Sequence, residues 1–457
     1  MAAGDSDSQE ARDSTDGAIS LDQALVMAVG WQRVGRYTDA AQVYLQILAG
    51  APNHVDALHF LGVAEQQAGR LTAALEYLDR ALTLLPDHPD ALCNRGNIHR
   101  LLWHLDEAEA DYRHSLRRRP DDPNTLTNLA VLLRARGDWE GALAALRAVL
   151  ARHPVYAPAW LNLANTLQCM DRSVEAIEAY QQAAKIAPES AAMFRDLGLA
   201  LCSEGRLQEA IAMYRRWLAL APDDARAQHL LAGCTGENAP VRASEDYVKA
   251  EFDAFAASYD AKLARLEYCG PKMVADCAQE IAPSLPSAPV VLDAGCGTGL
   301  CAPFLRPLAG RLVGVDLSTE MLAAARMRGS YDDLVVGELT TFMIEHPHCF
   351  DLIVSADTLI YFGALDDVMG AALRALRPGG VLIFTLERAE AAEAANGFCL
   401  RPHGRYGHTR EYIAEVVRQE GLDDVRITDA QVRKEFRRWV ESWLVRARAP
   451  FASNTKT

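Results

Sequence analysis

The sequence predicts two architectures in tandem: an all-α solenoid of helix pairs over residues 21–235, and an α/β unit on a mostly parallel sheet over residues 245–450. Three observations carry this expectation. Proline, alanine and Tyr/Leu columns recur every 34 residues through the first half. In the second half the apolar run Val290-Val291-Leu292 opens directly into Asp293-Ala294-Gly295-Cys296-Gly297-Thr298-Gly299. The next β-rich run, Leu312-Val313-Gly314-Val315, ends in an acid, Asp316, 17 residues past Gly299.

The repeat columns each have a physical reason. Pro52, Pro86, Pro120, Pro154, Pro188 and Pro222 stand where a second helix must stop, because proline has no N–H to extend the ladder. Ala40, Ala74, Ala108, Ala142, Ala176 and Ala210 are small enough to let two helices approach. Tyr44, Leu78, Tyr112, Leu146, Tyr180 and Tyr214 follow four residues later, on the same helix face. A turn column reads Gly35, Gly69, Trp103, Gly137, Asp171 and Gly205. Glycine there ends the first helix in left-handed backbone space, so the turn at Trp103 is expected to close differently. This pattern resembles the tetratricopeptide repeat, in six copies over about residues 21–222, with Ala225–Ala232 as a terminal capping helix.

The resemblance implies a superhelix whose concave groove binds protein or peptide. Asn94, Asn128 and Asn162 share one column, and Asn97 and Asn165 follow two of them by three residues. In tetratricopeptide arrays these positions face the groove, where an amide can hold an extended peptide backbone. The alternative is that the amides bond only the neighbouring helix. The family's chaperone-type carboxylate clamp needs lysines where this chain has His59, Cys93 and Thr127, so a chaperone C-terminus is a poor candidate partner.

Composition bounds the rest. The chain has 457 residues and a formal net charge of −15, which argues against non-specific binding to nucleic acid or an anionic membrane. Ten scattered cysteines include no CxxC pair, so no metal is expected. Residues 1–20 carry no apolar signal core, and no apolar run approaches about 18 residues. Residues 1–20 are expected to form a disordered tail, and residues 451–457 a second tail. The cysteines then read as reduced thiols of a cytoplasmic protein.

Gly233-Cys234-Thr235-Gly236-Glu237-Asn238-Ala239-Pro240 marks the domain boundary, with a linker over residues 236–244. A helix capped by Ser244 or Asp246 should follow, with Val248, Phe252, Phe255 and Tyr259 at helical spacing. The string Phe252-Asp253-Ala254-Phe255-Ala256-Ala257-Ser258-Tyr259-Asp260 looks like the lead-in of many small-molecule methyltransferases. That resemblance makes the segment a lid and lays Tyr259 over the cofactor. The phenylalanines read instead as a face packed on the sheet.

Gly295, Gly297 and Gly299 alternate, which is not the dinucleotide spacing; the run resembles the first motif of class I methyltransferases. The implied fold is Rossmann-like and seven-stranded, and the implied cofactor is S-adenosylmethionine. Its expected contacts are Tyr259, Asp293, Ala294, Gly295, Gly297 and Gly299 in the first segments. Downstream they are Asp316 on the ribose, Leu317, Met321, Glu338 and Leu339 around the adenine, and Asp357 after the fourth strand. Strands are expected at Asp333–Val336 and Phe350–Asp357, and a closing hairpin at Arg426–Val432 and Trp443–Arg448.

The methyl acceptor is not readable. Asp357 and Tyr361 follow the fourth strand, where substrates often lie. Gly404-Arg405-Tyr406-Gly407-His408 resembles the predicted bacterial methyltransferases that carry tetratricopeptide repeats. His408 could be a base, or bind an anion, or cap the next helix. Arg405, beside Tyr406, could pair with a substrate carboxylate or form a structural ion pair. Arg433, Lys434, Arg437 and Arg438 read as a solvated hairpin or a phosphate contact. The reading is a methyltransferase acting on an O or N acceptor, with the repeats for protein interaction. The alternative is a repeat scaffold with a cofactor-sensing or inactive module.

Overall fold

The structure is a computed structural model that describes residues 20–253, 256, 259–435 and 438–451. Except for Ser20 and Phe451, the two expected tails lie outside the described residues, as do Phe255 and Arg437. The chain divides into two compact units, Met1–Met170 and Asp171–Thr457. Among the described residues no helix is long and apolar enough to cross a membrane.

The first unit is helical: α1 (Leu21–Arg33), α2 (Tyr37–Gly50), α3 (Val55–Gln67), α4 (Leu71–Leu84), α5 (Pro89–Leu101), α6 (Leu105–Arg118), α7 (Pro123–Ala135), α8 (Trp139–Arg152) and α9 (Ala157–Cys169). Ala40, Ala74, Ala108 and Ala142 are fully buried, as are Tyr44, Leu78, Tyr112 and Leu146. The large column needs a gap on the partner helix. At Gly62 a Cβ would stand 2.8 Å from the Leu78 side chain, and at Gly96 one would stand 2.7 Å from the Tyr112 ring. These two hairpins are therefore each locked by a large residue filling the space that a missing side chain leaves.

The turn at Trp103 corrects the expectation. Trp103 adopts φ 60°, the left-handed region used by Gly35, Gly69 and Gly137. Its N–H donates to the Arg100 carbonyl at 3.1 Å, as that of Gly69 does to Gln66 at 3.0 Å. Helix packing on both sides fixes the turn, and the side chain tolerates a conformation that costs roughly 1–2 kcal/mol.

The second unit opens with α10 (Ser173–Ile186), α11 (Ala191–Ser203), α12 (Leu207–Leu220) and α13 (Ala225–Thr235). Next come α14 (Glu245–Asp253), α15 (Tyr259–Arg265), α16 (Gly270–Ile281), β1 (Val290–Ala294), α17 (Ala302–Leu305), β2 (Arg311–Asp316), α18 (Thr319–Arg328), β3 (Asp333–Val336) and α19 (Leu339–Glu345). The chain ends with β4 (Phe350–Ser355), α20 (Asp366–Ala375), β5 (Leu376–Arg388), β6 (Phe398–Leu400), β7 (Tyr406–His408), α21 (Arg410–Gln419), β8 (Asp423–Glu435) and β9 (Arg438–Arg448).

Seven strands lie in the order β3-β2-β1-β4-β5-β9-β8, with β9 antiparallel to both neighbours. The short β6–β7 hairpin attaches to the far end of the long β5, at Glu387 and Arg388. One face of the sheet buries Val291, Leu352 and Ile383 against Val274 and Ala278 of α16. The other buries Leu292, Ile353 and Phe384 against Met369 of α20 and Ile413 of α21. Both faces are covered, which is why the central strands read as continuous apolar runs.

The expected boundary near residue 236 is not where the compact units part. The α13 helix is docked: His229 Nε2 lies 2.9 Å from the Gly404 carbonyl, and its ring is 4.0 Å from that of Tyr247. The expected linker, residues 236–244, is a strap. The Val241 carbonyl accepts from the N–H groups of Gly363 (2.9 Å) and Ala364 (2.8 Å), and Ala243 N–H donates to Tyr361 (2.9 Å). Sequence composition marked a break in the repeat; backbone hydrogen bonds turn that break into part of the second unit.

Candidate active site

The loops after β1, β2, β3 and β4 share the carboxyl edge of the sheet, where open α/β folds bind ligands. They line a cavity together with residues of α14 and α15. Gly295 and Gly297 line it, with φ of 77° and 53°. A Cβ at Gly297 would meet nothing within 4 Å, whereas one at Gly295 would strike the Thr358 side chain at 2.3 Å. The first glycine thus lets the loop pass under Thr358, whose hydroxyl donates to the Gly295 carbonyl at 3.1 Å.

Asp316 ends β2 with its carboxylate at the cavity. One oxygen accepts from Gly297 N–H at 2.8 Å and the other from Ser318 N–H at 2.9 Å. Each keeps a second lone pair for a ligand hydroxyl. Burial pushes this carboxyl above the ordinary aspartate range, and the backbone N–H groups of Ser318, Gly297 and Leu317 oppose the rise. Leu317, Met321 and Leu339 supply an apolar wall. Glu338 also lines the cavity, but its oxygens are engaged. They cap α19 through Thr340 N–H (2.8 Å) and Thr341 N–H (2.7 Å), and pair with Arg242 at 2.5 Å. Burial pushes its carboxyl up, but those donors hold it below the ordinary range.

Three expected cofactor contacts do not line the cavity. Asp293 is buried under the loop and accepts from the Tyr331 hydroxyl at 2.6 Å. Burial pushes its carboxyl up to about 7. Ala294 faces the core, and its carbonyl accepts from the Ser355 hydroxyl at 2.9 Å. Gly299 packs near the Tyr331 ring. These residues shape the loop from below; a one-residue step along a strand reverses the face.

The lid segment holds residues that the sequence reading missed. Ser244 caps α14, accepting from Tyr247 N–H at 3.2 Å. Phe252, expected to pack on the sheet, lines the cavity and meets Tyr259 and Tyr361 edge-on, with ring centroids 5.9 and 5.5 Å away. The two aspartates of the lead-in motif are the tethers. Asp253 accepts from the Ser318 hydroxyl, the cap of α18. Asp260 accepts from the Thr298 hydroxyl at 2.6 Å and pairs with Arg328. Their signal is the pair of aspartates in the lead-in motif itself.

The cavity is also lined by Asp357, Tyr259, Tyr268 and Tyr361. Asp357 sits in the left-handed region at φ 60°, with its N–H donating to the Thr385 hydroxyl at 2.8 Å. Its Oδ2 is gripped by Arg433, whose side chain is 3% exposed. Arg433 also pairs with Glu387, and with Glu435 at 2.8 Å. Arg405 pairs with Glu387 and Glu435, both at 2.6 Å. Two cations and three carboxylates thus form one buried cluster. Arg433 is neither solvated nor open to a phosphate, which corrects the sequence reading of that hairpin.

Arg405, Tyr406 and His408 do not reach the cavity. Arg405 is spent on the cluster. Tyr406 is fully buried and donates to the Pro240 carbonyl at 2.7 Å. His408 is fully buried too, its Nε2 lying 3.0 Å from the Gly363 carbonyl. Burial pushes its imidazole down to about 4, so it stays neutral and buttresses the fold; Thr409 caps the helix that follows.

Comparison with known proteins agrees with this architecture. A family model described as a methyltransferase domain matches residues 292–384. Tetratricopeptide repeat models match residues 32–89 and 66–123, residues 123–166 and residues 155–223. The chain joins tetratricopeptide repeats to a methyltransferase domain. It is similar to human methyltransferase-like protein 27, with 33% identity over 156 residues, 31% of this chain and 62% of that one. It also resembles the malonyl-acyl-carrier-protein O-methyltransferase of Enterobacter lignolyticus, 34% identical over 127 residues, 27% of this chain and 50% of that one. The rat mitochondrial ubiquinone biosynthesis O-methyltransferase is 29% identical over 102 residues, 21% of this chain and 30% of that one. The chain therefore spans less than two thirds of each of these relatives. Among solved structures, a tetratricopeptide repeat protein from Parabacteroides merdae aligns with 48% of this chain and 86% of its own, at a TM-score of 0.42 and 16% identity.

In the repeats, the asparagine column turns inward. Asn94 Nδ2 lies 2.8 Å from His59 Nε2, and Asn128 Nδ2 donates to Cys93 Sγ at 3.4 Å. Both reach back 35 residues to the first helix of the preceding repeat, at the very positions where a carboxylate clamp would carry lysine. Asn97 accepts from the Tyr112 hydroxyl at 2.8 Å, and Asn162 donates to the Pro158 carbonyl at 2.9 Å. Asn165 is engaged as well. Asn94, Asn97 and Asn128 thus bond neighbouring helices, and Asn162 bonds its own helix.

Proposed function

We propose that the methyltransferase domain binds S-adenosylmethionine in this cavity and transfers its methyl group to an uncharged O or N acceptor, while the repeats engage a protein partner. The observation that carries this is the Asp316 carboxylate. It stands at the end of β2 above the glycine loop, with a lone pair free on each oxygen for the two ribose hydroxyls. The chain's own groups fit the cofactor elsewhere too. Leu317, Met321 and Leu339 suit the faces of an adenine, and Gly297 leaves room where a side chain would intrude. When bound, S-adenosylmethionine supplies a methyl group already activated by its sulfonium. The protein's task is then to hold a nucleophile in line and exclude water. The roof of Phe252 and Tyr259, tethered through Asp253 and Asp260, serves both ends.

The acceptor's charge class follows from the cations. Among the described residues Arg242 is the one Lys or Arg lining the cavity; it pairs with Glu338 and lies over the Phe362 ring at 4.1 Å. Arg433 and Arg405 are bound to three carboxylates. A carboxylate acceptor would thus enter an acidic, partly desolvated end with no counter-charge of its own. A hydroxyl or amine can instead donate to Asp357, whose Oδ1 makes no hydrogen bond within the described residues. Aromatic walls from Phe252, Tyr268 and Tyr361 suit a flat ring.

Titration calorimetry tests the cofactor, and labelled methyl transfer tests the acceptor. Binding of S-adenosylmethionine by the full chain and its loss in Asp316→Ala are expected; absence of binding at millimolar cofactor would sink the proposal.

A further inference from the structure

The methyltransferase reaction makes no use of two thiols in the second unit. Cys202 lies near the end of α11, the first helix of the last repeat, and Cys234 near the end of the capping helix α13. Their sulfurs are 3.3 Å apart, and the Tyr214 hydroxyl of α12 stands 3.7 Å from Cys202 Sγ. Both residues are half-buried, whereas Cys296 and Cys301 beside the cofactor loop are buried. Contact at this distance requires both side chains to point at one another across the helix packing. A disulfide needs about 2.05 Å between sulfurs, an approach that small rotamer changes can supply.

We propose that Cys202 and Cys234 are a redox modification site, forming a reversible disulfide with a low-molecular-weight disulfide as oxidant. The Cys202 thiolate attacks one sulfur of the oxidant and expels the other as a thiolate. The Cys234 thiolate then attacks Cys202 Sγ in the mixed disulfide and expels the second. Two protein thiols are oxidised, one disulfide is reduced to two thiols, and the protons pass to the leaving thiolates. The environment divides the roles. The neighbouring Cys234 and Tyr214 groups hold the Cys202 thiol below its ordinary range, against burial, which raises it. The same contact, with burial, raises that of Cys234.

The bond would matter because of what α13 does. That helix carries His229, which meets the Gly404 carbonyl beside Arg405 of the buried cluster. It also carries Gly233, where a Cβ would strike the Arg401 carbonyl oxygen at 2.5 Å. Pinning α13 to α11 across 32 residues therefore stiffens the joint between the last repeat and the β6–β7 hairpin.

The full chain is incubated with oxidised glutathione, free thiols are alkylated, and the protein is mapped by mass spectrometry without reduction. The expected result is one linked peptide pair joining Cys202 to Cys234, two hydrogens lighter than the reduced pair, with the other cysteines alkylated. Dithiothreitol should reverse it, and the oxidised protein should melt higher than the reduced one. Cys202→Ser and Cys234→Ser should each abolish the linked pair and the melting shift, with helical content unchanged. No oxidation, a mixed glutathione adduct that never resolves, or links involving other cysteines would each overturn the proposal.

Discussion

Around the glycine loop the cavity is walled by backbone turns and by carboxylates placed at strand ends; at Asp357 it meets a buried cluster of side chains whose charges hold one another. The first is assembled from short contiguous stretches, Gly295–Gly299, Asp316–Met321 and Glu338–Leu339. The second gathers Asp357, Glu387, Arg405 and the Arg433–Glu435 pair from four separate segments. A site made of turns can be recognised by spacing, because a turn is a local object. A cluster of paired charges has no spacing, and its members look like surface residues until the sheet closes. The difference also predicts different modes of failure. Damage to the first end should cost binding; damage to the second should cost the fold.

The largest effect is expected from Arg433→Met. It leaves Asp357, Glu387 and Glu435 without their shared buried partner, and removing one side of a buried pair costs about 3–5 kcal/mol. Urea denaturation should show that loss. Arg433→Met combined with Asp357→Asn should recover part of it, and no recovery would break the idea that the cluster acts as one unit. Next comes Asp316→Ala, which removes the acceptor for two ligand hydroxyls at roughly 1.5–3 kcal/mol for each charge-assisted bond. Cofactor affinity should fall at least about a hundredfold by calorimetry, with a smaller loss of urea midpoint than in Arg433→Met, since the Gly297 and Ser318 N–H groups lose their acceptor. A large loss of stability instead would erase the contrast between the two ends.

Asp260→Asn weakens the lid tether to Thr298 and Arg328 without touching the cavity floor. A rise in cofactor Kd of about five- to tenfold is expected, the value of one such bond. The smallest effect on turnover belongs to His408→Gln, since an amide can still donate to the Gly363 carbonyl. Turnover within about twofold of wild type is expected, and a loss of the order of a catalytic base, about a hundredfold or more, would restore His408 to the chemistry. Its pH signature is structural. His408 is held neutral down to about 4, whereas an unfolded histidine takes up its proton near 6.5. Between those values the unfolded chain binds more protons, so the stability this site contributes is present above pH 6.5 and is lost as the pH falls toward 4. Melting temperatures across that window should fall less steeply in His408→Gln than in wild type.

The compact units bear on how the protein is dissected. Cutting at residue 236 would strip α13 from Gly404 and Tyr247, so any lost activity would mix recruitment with unfolding.

The sequence alone determined the repeat register, the helix pairing and the cofactor turn, because each depends on residues at fixed short separations. Alanine and tyrosine columns meet within one hairpin, a proline stops its own helix, and glycines bend one loop. It misjudged Trp103, where packing imposed a left-handed turn on a residue that does not favour one. It also misassigned Arg405, Tyr406 and His408, whose motif is real but describes a buried hairpin. Only tertiary structure decided which side chains face the cavity, that residues 236–244 form a strap, and that Arg433 belongs with Asp357. Burial and charge pairing are set by what packs from elsewhere in the chain, and no local pattern carries that information.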